Sequence, residues 1–223
     1  MPSSLLSPRG RKPLSEAAKQ FRDDVLRGLN SPTRAIPSKY FYDQQGSLLF
    51  DQICELQEYY PTRTETGIMQ RSAKMMAACI GTNSRLVEYG SGSSLKSRIL
   101  LDELNDLESY LPIDISQEHL HTAARNLATE YPQHSIRPIF GDFTKPIELP
   151  VASSPDVRTC IYFPGSTIGN FTHDDASQLL HTIRATAGKQ GSLLIGFDLL
   201  KDKSVLESAY NDREGITAQF NLN

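Results

Sequence analysis

No stretch of the chain approaches 18 consecutive apolar residues, so a membrane-spanning helix is excluded on length alone. The first 13 residues carry Arg9, Arg11 and Lys12 among Ser, Pro and Gly. No apolar signal-peptide core follows them, which argues against secretion and for a solvated, disordered tail. Cysteine is scarce. Cys54, Cys79 and Cys160 are far apart, with no CxxC pair and no histidine at ligand spacing, so neither a disulfide framework nor a structural zinc site is expected. They read as small buried apolar residues of a cytosolic protein. A surplus of positive charge is also missing: the net charge is −3, which gives no electrostatic footprint for nucleic acid. Internal repeats are absent too. What remains is an ordinary globular composition, 39% hydrophobic over 223 residues, enough for a large core.

The patterning changes once along the chain. Ala18, Phe21, Val25 and Leu29 recur at helical spacing and predict a helix over 14–30, broken by Ser31-Pro32-Thr33. Leu48, Leu49, Phe50 and Ile53 predict a second helix over 46–55. Tyr59-Tyr60-Pro61-Thr62 ends it, because proline pushes Tyr60 toward extended geometry. A third is expected over 64–79, with Thr62 or Thr64 as N-cap. After Thr82, short apolar runs at 85–89, 110–115, 136–140, 158–163 and 192–197 alternate with helical stretches at 96–104, 117–129 and 174–187. That alternation predicts βαβ units in one doubly wound parallel sheet. The expected organisation is a tail over 1–13, a helical part over 14–81, a nucleotide-binding α/β domain over 82–200, and the start of a further substrate-binding part over 201–223, with one helix over 203–210 followed by 216–223. Ser192–Phe197 is too apolar for a bare edge strand, so the chain is expected to stop before its fold is complete.

The chemistry gathers at the predicted strand ends. Val87-Glu88-Tyr89-Gly90-Ser91-Gly92-Ser93-Ser94 closes the first strand and opens a helix, the place where glycines let backbone approach a ligand and a helix N-terminus favours an anion. A Rossmann dinucleotide pattern would put a third glycine where Leu95 stands, which argues against an NAD-dependent oxidoreductase. Glu88 just before the first glycine resembles the first motif of class I methyltransferases. Asp114, 24 residues past Gly90, ends the second strand, where a carboxylate can accept both ribose hydroxyls; Asp114 or Ser116 could instead cap the helix from Gln117. Gly141-Asp142-Phe143 ends the third strand, where Asp can accept from an adenine amino group and Phe can cover a ring. The fourth strand ends in the polar loop Pro164–Phe171, whose Asn170 offers a donor and an acceptor to a substrate carboxylate or amine, or serves as a plain turn residue. Three such ends on successive strands converge on one crevice at the carboxyl edge of the sheet. The five histidines form no ligand set and read as surface or packing residues.

Lys39-Tyr40-Phe41-Tyr42-Asp43, Glu58 to Glu65 (EYYPTRTE), the Gly90 turn with Lys96, Gly141-Asp142-Phe143, Gly165 to Asn170 (GSTIGN) and Ser208 to Asp212 (SAYND) resemble the histidine-specific, S-adenosylmethionine-dependent methyltransferases of ergothioneine biosynthesis. The resemblance spans 39–223. It implies methylation of the α-amino group of L-histidine, three times, to hercynine, by a cytoplasmic monomer with no nucleic-acid, membrane or metal partner. It further implies that Gly90, Lys96, Asp114, Asp142 and Phe143 contact S-adenosylmethionine. Tyr42 would lie beside cofactor and amine as the catalytic candidate, Tyr59 would touch the imidazole, and Asn170 and Tyr210 would hold the amino acid's polar end. The family reads the imidazole with an acidic residue and a serine from a segment later than residue 223. The alternatives are a methyltransferase for another small amine and a non-catalytic cofactor-binding domain. Without the resemblance, Tyr42, Tyr59 and Tyr60 read as a structural aromatic cluster.

Overall fold

The computed structural model describes residues 15–223; the expected tail over 1–13, and Leu14 at the head of the first expected helix, lie outside them. The chain divides into a unit ending at Tyr40 and a unit running Phe41–Asn223. In the first, α1 (Glu16–Asn30) starts at Ser15, whose hydroxyl accepts from the Ala18 amide at 3.2 Å, a standard N-cap. Asp24 is buried on this helix and is satisfied by Tyr40 Oη at 2.5 Å and Gln20 Nε2 at 2.9 Å.

The second unit holds five parallel strands, β1 (Ser84–Tyr89), β2 (Leu107–Asp114), β3 (Ile139–Phe140), β4 (Arg158–Phe163) and β5 (Ser192–Ile195), in the order β3-β2-β1-β4-β5. This is the doubly wound α/β arrangement the alternation predicts. The helices are α2 (Gln44–Glu55), α3 (Tyr60–Ile80), α4 (Leu95–Leu101), α5 (Gln117–Glu130), α6 (His173–Ala187), α7 (Lys203–Ala209) and α8 (Ile216–Leu222). Alternation along the strands splits the core into two faces. Leu86, Tyr110, Cys160 and Tyr162 pack against Met69 of α3, Leu100 of α4 and Leu127 of α5. Val87, Tyr89, Leu111, Ile161 and Phe163 pack against Leu179 and Ile183 of α6. Burying each such leucine or isoleucine contributes about 2 kcal/mol. A third cluster joins α2 and α8 through Leu49, Ile53, Tyr59 and Phe220.

Three sequence expectations are corrected. α3 starts at Tyr60, four residues early, with Tyr59 rather than a threonine as N-cap and Pro61 inside the first turn. A first-turn amide has no intrahelical partner to lose, so proline there initiates the helix rather than ending its predecessor. β3 shrinks to two residues. Pro138 cannot donate to the ladder, and only an isolated bridge from Tyr110 to Ile136 extends the pairing. Cys79 is exposed on the last turn of α3, and Cys54 is half-buried, so only Cys160 is a buried apolar residue. β5 is an edge strand: Leu193 faces solvent, and Phe197 beyond the strand is 63% exposed. No helix of the described residues is long and apolar enough to cross a membrane.

Candidate functional site

The carboxyl ends of β1, β2 and β3 meet as the sequence expects. Gly90 has φ +71° and Gly92 φ +49°, a left-handed path that L side chains resist. It turns the backbone so that the Gly90 and Ser91 amides both donate to Ile113 O, at 2.9 and 3.2 Å, pinning the turn to the end of β2. The Asp114 carboxylate then accepts Gly92 N–H at 3.0 Å through one oxygen and Ser116 N–H at 2.9 Å through the other. It is therefore oriented by backbone before any ligand binds. Ser116 holds the N-cap position of α5 without a side-chain cap bond. A methyl group built on Gly90 would touch the Phe143 ring at 3.5 Å, whereas above Gly92 nothing lies within 4 Å. Phe143 stacks on Tyr89 at 5.3 Å and 24° between planes. Asp142 Oδ1 accepts from the Thr144 amide at 3.0 Å and hydroxyl at 2.5 Å, which fixes its rotamer. An oriented carboxylate, open space over a glycine and an aromatic wall fit the adenosyl half of S-adenosylmethionine.

Beneath the turn, Glu88 is 2% exposed and accepts from Ser97 Oγ and Tyr110 Oη. Burial pushes its carboxyl up to about 7, against the opposing pull of those two donors. Burial, then Glu88 itself, holds the Tyr110 phenol well above its usual value, so it is a neutral donor.

The substrate-side residues form a second group. Tyr59 is buried, its ring edge-on to Tyr210 at 5.7 Å and to Phe50 at 6.2 Å. Tyr42 meets Phe50 at 5.4 Å and Phe220 at 5.2 Å. Burial raises the Tyr42 phenol far above its usual value, with smaller contributions in the same direction from Cys54, Asp114 and Tyr210. Tyr42 thus lies within electrostatic reach of both the Asp114 and the Tyr210 sides. Burial likewise raises Tyr59, with Tyr210 next. Tyr210 is 55% exposed at the end of α7. Asn170 closes a 3-10 turn (Thr167–Asn170), is exposed, and its side chain makes no hydrogen bond among the described residues.

Lys96 is paired with Glu65 of α3. Two residues with no role in the sequence reading also shape the site. Glu65 accepts the Gly165 amide; Asp198, past β5, accepts from Tyr60 Oη and Lys201 Nζ; and the Asp198 amide donates to Ser166 Oγ at 2.9 Å. Ser166 and Gly165 begin the loop that carries Asn170, so the Glu65 carboxylate and the Asp198 backbone amide both anchor it. Apart from Lys201, the partners named lie 31 to 138 residues away in sequence, and no local pattern marks them.

Residues 21–223 match the family described as histidine-specific methyltransferase, SAM-dependent. Histidine N-alpha-methyltransferase of Mycolicibacterium smegmatis is 44% identical over 212 residues, covering 93% of this chain and 64% of that protein. The Mycobacterium tuberculosis protein of the same name is 42% identical over 208 residues, 91% of this chain and 63% of that one. Ergothioneine biosynthesis protein 1 of Neurospora crassa is 31% identical over 194 residues, 85% of this chain and 22% of that one. The chain spans just under two thirds of the length of the two mycobacterial relatives. With a family match over nearly all the described residues and a strand-end crevice that fits the family's cofactor, the chain belongs to the histidine-specific, S-adenosylmethionine-dependent methyltransferases.

Proposed function

We propose that the protein methylates the α-amino group of L-histidine three times, giving hercynine for ergothioneine biosynthesis, as a cytoplasmic monomer. The observation that carries this reading is the match of residues 21–223 to the histidine-specific family, together with a strand-end crevice in which two backbone amides orient Asp114. The 44% identity to a histidine N-alpha-methyltransferase supports the substrate.

On this reading Asp114 takes the ribose hydroxyls, Asp142 and Phe143 the adenine, and Gly90 and Lys96 the methionine end. S-adenosylmethionine supplies the electrophilic methyl group. The protein's own task is then positioning: the amine must be neutral, desolvated and aligned, and no nucleophile or metal is required. Tyr59 packs the imidazole, while Asn170 and Tyr210 hold the carboxylate end and aim the α-nitrogen. The raised Tyr42 phenol stays protonated at neutral pH. It therefore acts as a hydrogen-bonding guide that turns the amine proton toward solvent, not as a general base.

The test is Asn170→Ala, an exposed change that leaves the fold alone. Histidine affinity and hercynine formation, read by calorimetry and mass spectrometry, are expected to fall at least about tenfold, the effect of losing roughly one hydrogen bond to a charged group. S-adenosylmethionine affinity is expected to hold. Unchanged histidine affinity would sink the assignment.

A further inference from the structure

Glu65 sits where three elements of the site touch. Its carboxylate accepts Lys96 Nζ from α4. It also accepts the Gly165 amide, which shares its proton between Oε1 at 2.9 Å and Oε2 at 3.0 Å. From the end of β5 it is approached by Gly196, where an added Cβ would collide with Oε1. The Glu65 and Lys96 side chains are only 18% and 21% exposed, so the pair is poorly screened. Lys96 Nζ lies 3.4 Å from where a Gly165 Cβ would be. The ammonium, the carboxylate and the loop backbone are therefore one contiguous contact. Gly165, with φ +80°, is the hinge from which Ser166 and the Asn170 turn depart.

We propose that Glu65 is a positioning residue that couples cofactor binding to the order of the 165–170 substrate loop. The proposal rests on the reading above in one respect, that Lys96 faces the cofactor and Asn170 the amino acid. An anionic group arriving at Lys96 competes with Glu65 for its three donors. What Lys96 gives up, Glu65 has left for the Gly165 amide, so the loop tightens as the cofactor binds. Because coupling is reciprocal, a bound amino acid that orders the loop must strengthen cofactor binding by the same factor. A pin with a purely structural role would lower stability and both affinities together, and would leave that factor unchanged.

The experiment compares the wild-type chain with Glu65→Gln, which is isosteric and keeps one acceptor for Gly165 but loses the charge that holds Lys96. Gly196→Ala is the second variant; its added Cβ displaces Glu65 Oε1 and leaves Lys96 and Gly165 unsubstituted. S-adenosylhomocysteine, which cannot react, is the cofactor probe. Amide exchange of the segment around Gly165 is read with and without it, and needs no histidine. Slower exchange on adding the probe in the wild type, absent in both variants, is the expected result. An equal response in wild type and variants, or none in the wild type, overturns the proposal. Histidine titration with and without the probe then gives the coupling factor, expected to be on the order of tenfold in the wild type and near one in both variants. An unchanged factor in the variants overturns the proposal. Loss of histidine binding in every protein, with the exchange response intact, refutes the substrate reading and leaves the loop coupling standing.

Discussion

The protonation of Glu88 predicts a specific dependence of stability on pH. Its carboxyl is raised from 4.5 to about 7. The native state therefore keeps a proton that the unfolded chain has released across that window. The contribution to stability is fully present below the unfolded value and is lost as pH rises through the folded one. With each unit worth about 1.4 kcal/mol, the loss between roughly pH 5 and pH 8.5 is about 2 to 3 kcal/mol. Desolvation sets the sign. Ser97, Tyr110 and Lys96 all favour the charged form, and Asp114 opposes it. Glu88→Gln removes the titration while its amide oxygen still accepts from Ser97 or Tyr110. Urea unfolding of both proteins at the two pH values isolates the effect, since other groups titrate in both. The stability of the wild type relative to the variant is expected to fall by the stated amount as pH rises. A difference that stays flat, or that grows in the wild type's favour with pH, would mean that the three favourable neighbours outweigh burial, and would refute the reasoning.

Two further changes test the cofactor side. Asp114→Asn turns an amide NH2 donor toward one of two backbone donors, Gly92 or Ser116, and should weaken S-adenosylmethionine binding by about 1.5–3 kcal/mol, on the order of ten- to a hundredfold by calorimetry; a change within about twofold would contradict the ribose role. Gly92→Ala meets no atom within 4 Å, so only the positive φ opposes it, at about 1 kcal/mol in unfolding stability; cofactor affinity should drop at least about tenfold, and full affinity would show that the open side of Gly92 is not the ligand side.

The parts of the site legible in sequence are those where chemistry and backbone signal coincide. Gly90, Gly92, Asp114 and Phe143 each follow an apolar run, and strand ends on one sheet edge must converge. Pro61 is ambiguous in sequence because the same residue type ends one helix and starts another; only the pairing of first-turn amides distinguishes the cases. Glu65 and Asp198 are opaque in sequence for a different reason. Glu65 lies on a helix whose local pattern is satisfied without it, and its function arises from Lys96 and Gly165, which only tertiary folding brings near. The Tyr59–Tyr210 contact is of the same kind. A family resemblance named both residues; periodicity could not join them.

The alternation along β1 also limits how this region can change in evolution. Leu86 and Glu88 serve one face of the sheet, and Val87 and Tyr89 the other. Inserting or deleting a single residue there would exchange the faces, sending the carboxyl among aliphatic side chains and the tyrosine ring away from Phe143. Point substitutions in β1 are therefore open to gradual drift, but its length is not. The stretch 145–157, which lies outside the named strands and helices, carries no such phase and is where length variants of this protein should be found.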